Sequence, residues 1–261
     1  MPSSSLFHVV WLSIAAFFAG GINAIAGGGS LISFPALLQV GVQPVRANAT
    51  NTVALLPGQI TSAGAYRREL RRYRSMLPIL LAAAFVGGLI GARLLMATRQ
   101  QTFLRMVPWL LLTATLLFAL GPPMQQRISQ GAPRSHVTGL GPLARVLLPI
   151  GIFAISLYVG FLGAGAGLLI MGTLSFAGID SVHEINALKT IITSTSNTIA
   201  SATFILYGAV IWRYGAAMMI AASIGGYLTA RLARKHKPRG IRVLVVIMGC
   251  IVTTYFFWKL Y

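Results

Sequence analysis

Residues 6–40 have the sequence LFHVVWLSIAAFFAGGINAIAGGGSLISFPALLQV, in which three glycines separate a long apolar run from a short one. A bilayer-spanning helix needs about 20 apolar residues, and a backbone in lipid must pair its polar groups internally. Residues 6–26 are long enough to span, whereas residues 30–40 are not. The stretch therefore predicts a membrane helix followed by a short broken or re-entrant helix.

The composition excludes a water-soluble protein. Of the 261 residues, 56% are hydrophobic and 9% are charged, against about 25% charged in soluble domains. The formal net charge is +18, from 21 Lys and Arg and three acids. Because the basic residues lie at the ends of apolar runs, they indicate contact with lipid headgroups rather than with nucleic acid. We therefore predict a multi-pass protein of the cell membrane that binds lipids and no nucleic acid.

The same order of apolar runs occurs twice. The predicted helices are residues 6–26, 30–40, 47–66, 76–97 and 105–120, and then 143–162, 168–178, 186–207, 215–233 and 241–261. The first run is not a cleaved signal peptide, because no Lys or Arg precedes Arg46 and the basic region of such a signal is missing. We predict a first repeat over residues 1–121, a cytoplasmic linker over 122–142 and a second repeat over 143–261.

A constant offset of 138 residues relates the two halves. Matched pairs include Asn48 with Asn186, Thr52 with Thr190, Gln59 with Asn197, Tyr66 with Phe204, and Gly87-Gly88 with Gly225-Gly226. Small and apolar matches are common in membrane proteins, but matches of polar residues on one unbroken offset are not. The pattern predicts a duplicated unit.

Loop charges predict that the two units are inverted. Residues 67–74 hold five arginines and their counterparts 205–212 hold none, whereas residues 231–242 hold six basic residues and their counterparts 93–104 hold two. Equivalent loops therefore face opposite sides of the membrane, with both termini outside. The predicted fold is an all-α integral membrane protein of two inverted repeats, each with four long helices and one short broken or re-entrant helix.

The glycine breaks are the first candidate substrate site. A helix N-terminus presents unpaired N–H groups and about half a positive charge, and glycine lets an anion approach the backbone. We expect the N-termini of the two short helices to face each other across the pseudo-twofold axis and bind a small anion. The candidate residues are Gly27, Gly28, Gly29, Ser30, Gly165 and Gly167. The alternative is that these glycines serve close helix packing, which is our interpretation of Gly87-Gly88 and Gly225-Gly226.

Polar residues inside apolar spans are the second candidate site. They are Asn48, Asn51 and Gln59 in the first unit, and Asn186, Lys189, Thr190 and Asn197 in the second. Intramembrane polar groups usually face the bundle interior or a cavity, so these residues are predicted to line a permeation route. The alternative is hydrogen bonding between helices without substrate contact. Lys189 has three interpretations: it attracts the anion, pairs with Glu184, or extends to the membrane surface.

Asp180, His183 and Glu184 form the cluster that could carry a coupling proton. The alternative is a helix cap or surface salt bridge. The sequence contains no H-E-x-x-H, G-x-S-x-G or P-loop motif. We therefore predict no catalytic residues, no metal and no cofactor.

Several segments resemble the TauE/SafE sulfite-exporter family. In the first half they are residues 20–30 (GGINAIAGGGS), Pro35, 47–51 (ANATN) and 66–68 (YRR). In the second half they are residues 160–167 (GFLGAGAG), 186–189 (NALK) and 208–212 (GAVIW). The resemblance implies a membrane carrier of sulfite, sulfonates or related small organosulfur anions. We predict a secondary transporter that exports such an anion by alternating access; the alternatives are a passive anion channel, a membrane-embedded enzyme and a scaffold.

Overall fold

The computed structural model describes residues 3–25, 28–65, 70–131, 142–179, 181–233 and 239–260. These ranges contain ten α-helices and a short 3-10 helix, Arg71–Tyr73, and no strand. The α-helices are α1 (Ser3–Ile25), α2 (Ser30–Gln39), α3 (Pro44–Ala65), α4 (Leu77–Ala97), α5 (Gln100–Gly131), α6 (Pro142–Phe161), α7 (Ala166–Phe176), α8 (Val182–Leu206), α9 (Trp212–Ala233) and α10 (Arg239–Leu260). The prediction of an all-helical protein is confirmed.

The helices follow one order twice: a long helix, a short helix, and three long helices. The short helices α2 and α7 have 10 and 11 residues, and the long ones have 20 to 32. Helices α3 and α8 begin before the predicted apolar runs, because their first turns carry the polar residues Arg46, His183 and Glu184. Helix α5 continues to Gly131, inside the stretch predicted as a linker. The end of an apolar run in the sequence therefore does not mark the end of the helix.

Two helical segments in the described ranges are by themselves long and apolar enough to span a membrane, Leu6–Asn23 and Leu77–Ala97. Shorter apolar helices are Ser30–Gln39, Val146–Phe161, Ala166–Phe176 and Val246–Leu260. Helices α3 and α8 have 22 and 25 residues but carry asparagines and hydroxyl side chains. Because of these polar residues, α3 and α8 are long enough to span a membrane but are not apolar enough to be identified by their hydropathy.

The distribution of polar and apolar side chains is the reverse of that in a soluble protein. Leu206, Trp258 and Phe176 are 86%, 83% and 71% exposed, whereas Asn48 and Asn51 are each 1% exposed. Large exposed apolar surfaces are unfavourable in water. The helices thus present apolar side chains to their surroundings and enclose polar ones, as a lipid environment favours.

The contacts between helices occur in pairs when α1 to α5 are matched, one by one, with α6 to α10. The α1–α9 contact corresponds to α4–α6, and α3–α9 corresponds to α4–α8. Likewise α1–α2, α2–α3 and α2–α10 correspond to α6–α7, α7–α8 and α5–α7. Helices α3 and α8 contact each other, as do α5 and α10. The two sets of helices are therefore packed by one common scheme.

Glycines permit the two closest helix pairs. A Cβ added at Gly87 or Gly91 on α4 would overlap the backbone of α6, and one at Gly225 on α9 would overlap the carbonyl of Phe17 on α1. A Cβ at Gly88 would lie 2.8 Å from the carbonyl oxygen of Ser196 on α8. The predicted packing role of these glycines is confirmed, because only small residues allow backbones to approach this closely.

Side-chain contacts fix the direction of each helix. Helices α4 and α8 are parallel, because Tyr73 just before α4 contacts Glu184, and Ala84 farther along accepts a hydrogen bond from Ser196. Helices α5 and α10 are antiparallel: the rings of Trp109 and Phe257 lie 5.0 Å apart, whereas Thr115 packs against Gly249. Equivalent helices of the two sets thus meet in opposite directions.

Candidate functional site

Two amides from equivalent positions meet where α3 crosses α8. The Nδ2 of Asn197 donates to the Oε1 of Gln59 at 2.7 Å, and these residues are 138 positions apart. The hydroxyl of Ser194 donates to the backbone oxygen of Gln59 at 3.2 Å. The two amides are thus a pair that the offset of 138 residues matches, and they join α3 to α8.

A second polar group lies beside the first turn of α2, and we call it the Asn51 station: Ser33, Asn48 and Asn51. The Ser33 hydroxyl contacts the Oδ1 of Asn51 as donor and lies 3.2 Å from the carbonyl oxygen of Gly29. The Nδ2 of Asn48 donates to the carbonyl oxygen of Phe161, at the end of α6, at 2.9 Å. The station therefore connects α2, α3 and α6.

A third polar group lies beside the first turn of α7, and we call it the Lys189 station: Gly167, Asn186 and Lys189. The Nζ of Lys189 donates to the Oδ1 of Asn186 at 3.2 Å. A Cβ added at Gly167 would lie 3.4 Å from the Cδ of Lys189, so the lysine stem lies against the start of α7. The neighbouring Thr190 contributes its carbonyl oxygen to a hydrogen bond from Thr193 at 3.1 Å.

Helices α3 and α8, which carry the two stations, begin at opposite ends of the helix bundle. Helix α3 begins beside the start of α5, where the Oε1 of Gln100 accepts from the backbone N–H of Val45 at 2.9 Å. Helix α8 begins beside Tyr73, just before α4. The 21 residues of α4 separate these ends, which is about 31 Å at 1.5 Å per residue. Helices α3 and α8 therefore leave their crossing in opposite directions, and the expectation that the two short-helix N-termini face each other stays a prediction.

The glycines of the two breaks have different local roles. Gly29 is buried, and a Cβ there would overlap the carbonyl of Ala19 on α1, so it serves close packing. Gly28 is also buried and its carbonyl accepts from Leu31 at 3.0 Å, while Ser30 is the partly buried first residue of α2. Gly165 precedes α7 with φ +76°, a conformation that favours glycine. Gly27 lies outside the described residues.

Glu184 pairs with the first unit rather than with Lys189. Its carboxylate accepts from Arg72 at 3.1 Å and from the hydroxyl of Tyr73. Burial, and next the hydrogen bond to Glu184, raise the pKa of Tyr73 above its ordinary value. Of the interpretations of Lys189, the structure does not show pairing with Glu184. His183 is exposed, and Asp180 lies outside the described residues.

An aromatic cluster closes the opposite end. The rings of Phe34 and Phe103 lie 6.3 Å apart, and those of Phe103 and Phe161 lie 5.6 Å apart. Phe34 and Phe103 are buried. We call this the aromatic end, and we call the end with Arg71, Arg72 and Arg74 the basic end.

The sequence reasoning missed several of these residues. Ser33 and Tyr73 are examples, and Tyr158 is another, since its hydroxyl spans the second glycine break to the carbonyl of Ala164 at 2.7 Å. The sequence could have indicated Ser33, because it is one of few polar residues in a short apolar helix. Tyr73 and Tyr158 carry no comparable signal, because tyrosine is common at membrane helix ends.

Comparison with known proteins places the chain in a family. Residues 12–256 match the family described as Sulfite exporter TauE/SafE. A probable membrane transporter protein, ORF9, of Sinorhizobium sp is 32% identical over 246 residues, which cover 93% of this chain and 90% of that protein. A probable membrane transporter protein of Haemophilus influenzae is 28% identical, over 91% of this chain and 89% of that protein. The probable membrane transporter protein YfcA of Escherichia coli K12 is also 28% identical, over 96% of this chain and 91% of that protein. No solved structure matches it. With most of its length matched and its relatives named as membrane transporters, the chain belongs to the sulfite exporter TauE/SafE family of membrane transporters.

Proposed function

We propose that this protein is a secondary transporter that exports sulfite, or a related small organosulfur anion, across the cell membrane by alternating access. The observation that carries the proposal is the hydrogen bond between Asn197 and Gln59. In transporters built from repeats, the substrate site lies near the membrane midplane, where the repeats meet. The amide pair supports the proposal, because it joins α3 to α8 through residues that the offset of 138 matches.

The directions of the helices support an inverted relation between the units. Helices α5 and α10 are equivalent, in contact and antiparallel, as the Trp109–Phe257 and Thr115–Gly249 contacts indicate. A twofold axis parallel to the helices would make equivalent neighbours parallel. An axis in the membrane plane makes them antiparallel, which is the arrangement of inverted repeats.

The basic segments support an orientation. Helix α9 begins beside α3, where the backbone N–H of Ile211 donates to the hydroxyl of Thr50 at 3.0 Å. Its end therefore lies with the start of α4, which the described residues Arg71, Arg72 and Arg74 precede at the basic end. The positive-inside rule assigns this end to the cytoplasm.

Each end has a closure that alternating access requires. At the basic end, the contact of Arg72 and Tyr73 with Glu184 joins the first unit to the second. At the aromatic end, Phe34, Phe103 and Phe161 pack across α2, α5 and α6. Opening one closure while the other stays shut would expose the amide pair to each side in turn.

The chemistry of the route suits an anion. The N-termini of α2 and α7 contribute partial positive charge, and Lys189 adds a full charge within a membrane helix. The family description supplies the organosulfur class. A passive anion channel is the second candidate, since the same groups would also attract conducted anions.

Counterflow in proteoliposomes tests the proposal. Labelled sulfite outside should enter faster when unlabelled sulfite is loaded inside, because a carrier exchanges substrate without net flux. A channel would show flux that depends on potential but no such stimulation. The variant with both Gln59→Leu and Asn197→Leu should lose the exchange, with Thr195→Val as the matched control because its hydroxyl bonds only within α8. No flux of any small organosulfur anion in the wild type would contradict the proposal.

A further inference from the structure

In the Asn51 station, two amides each have one buried atom that has no hydrogen-bond partner among the described residues. The atoms are the Oδ1 of Asn48, an acceptor, and the Nδ2 of Asn51, a donor. The other half of each amide is engaged, with Phe161 and with Ser33. Both residues are 1% exposed, and buried polar atoms in native structures nearly always have a partner.

The two atoms belong to side chains on one face of α3. Asn48 and Asn51 are three residues apart on α3, so their side chains lie on the same face, about 5–6 Å apart at Cβ. Ser33 in the first turn of α2 holds Asn51 close to the start of that helix. No side chain caps α2 at Gly29, and a helix of this length carries partial positive charge at its N-terminus.

The combination of groups selects the chemistry of an occupant. Positive potential favours an anion, and the free N–H of Asn51 needs an anionic or carbonyl oxygen. The free oxygen of Asn48 needs a donor, which a fully deprotonated oxyanion does not have. A neutral water would satisfy both amides but would gain little from the helix end.

We propose that the Asn51 station binds a small oxyanion in its singly protonated form, the class of hydrogen sulfite. Its O–H donates to the Oδ1 of Asn48, and one of its anionic oxygens accepts from the Nδ2 of Asn51. This inference rests on the proposed function, because it concerns the transported anion. It specifies a feature the family description leaves open, namely the protonation form that is recognised.

The equivalent station of the second unit provides an internal contrast. There the Oδ1 of Asn186 already accepts from Lys189, so this amide oxygen is not left without a donor, as that of Asn48 is. The other polar side-chain groups of this station, the Nζ of Lys189 and the Nδ2 of Asn186, are donors. The Lys189 station therefore has no preference for a protonated anion, and Asn186 is the matched control position for Asn48.

The test compares two isosteric anions. Hydrogen sulfite and methanesulfinate are both monoanions of similar shape, but a methyl group replaces the O–H in the second. Calorimetric titration of each into the purified, detergent-solubilised protein, at a mildly acidic pH where hydrogen sulfite dominates, measures the preference. We expect the wild type to prefer hydrogen sulfite by about tenfold, the effect of one hydrogen bond.

The variants separate recognition from structure. Asn48→Leu should remove the preference by weakening only hydrogen sulfite, and Asn186→Leu should leave the preference intact. A purely structural Asn48 would instead weaken both anions equally. If Asn48→Leu does not remain monodisperse and folded, the wild-type comparison of the two anions decides alone.

Equal wild-type affinities, or a preference that survives Asn48→Leu, would overturn the inference and leave a bridging water as the occupant. Counterflow of sulfite in proteoliposomes distinguishes the two levels of failure. Sulfite exchange without an Asn48-dependent preference refutes the station only. Absence of both sulfite binding and exchange refutes the proposed function as well.

Discussion

Lys189 occupies the position that Asn51 occupies in the first unit, and it is the one cation among the polar residues of α3 and α8 near their crossing. A cation within a membrane helix costs about 2.5–3.5 kcal/mol on insertion scales. Its Nζ is held by Asn186, and its stem lies against Gly167 at the start of α7. The lysine therefore lies beside a helix N-terminus that is already positive, an arrangement that an anion would stabilise.

Replacing Lys189 with methionine keeps most of the stem and removes the charge. Anion affinity should fall by about tenfold, equivalent to about 1.4 kcal/mol, and the loss should be larger for a dianion than for a monoanion because Coulomb energy scales with charge. Titration calorimetry in detergent measures both. Lys259→Met at the exposed end of α10 is the control. Unchanged affinity for both anions would mean that Lys189 does not contact substrate.

Gly165 is a second residue whose role follows from its own geometry. Its φ of +76° and the Cα of Ala114, 3.3 Å from an added Cβ, both disfavour any side chain. Gly165→Ala should lower stability by about 1–2 kcal/mol and displace the start of α7. Thermal unfolding and transport rate check this. Gly172→Ala is the control within α7, since nothing lies within 4 Å of its added Cβ; equal effects at both positions would contradict the prediction.

At the scale of elements, α3 and α8 are joined at their crossing by the Gln59–Asn197 amide pair and by the Ser194 hydroxyl on the Gln59 backbone. A double-mutant cycle of Gln59→Leu and Asn197→Leu should give a coupling energy of about 0.6–1.7 kcal/mol, the range for hydrogen bonds between membrane helices. Unfolding in mixed micelles measures it. Additive effects of the two substitutions would show that the pair does not join α3 to α8.

The contact of the 3-10 helix with α8 should be sensitive to Tyr73→Phe. Loss of a hydrogen bond to a carboxylate costs about 1.5–3 kcal/mol. Because the folded state raises the pKa of Tyr73, the phenol stays protonated, and its contribution is present at neutral pH and is lost as pH rises through the folded pKa. The unfolding temperatures of wild type and variant should therefore differ at neutral pH and converge at strongly alkaline pH. The exposed Tyr227→Phe should show no difference at either pH.

At the scale of the whole molecule, the proposed inversion predicts that residues 138 apart face opposite sides. In a background with the exposed Cys250 replaced by serine, cysteines at Gln43 and Ser181 test this, since both positions are exposed and equivalent. A membrane-impermeant maleimide applied to oriented vesicles should label Gln43→Cys from the outside and Ser181→Cys from the cytoplasmic side. Labelling of both from one side would exclude inverted units.

The sequence by itself determined the membrane class, the order of helices and the positions of the polar residues. Apolarity and glycine breaks are properties of consecutive residues, and a duplicated unit appears as a constant offset along the chain. For the same reason the helices α3 and α8 could be assigned despite their polar residues, since Asn48 and Asn186 mark equivalent positions. The sequence also singled out Gln59 and Asn197 as equivalent amides.

Only the tertiary structure decided which of these residues meet. Gln59 reaches Asn197, and Glu184 contacts Arg72 and Tyr73 instead of Lys189. The physical reason is that helix directions and crossing points follow from packing between segments far apart in the chain, as at Gly88 and Ser196. A pattern along the sequence fixes the face on which a side chain lies, whereas its partner depends on which helix is packed against that face.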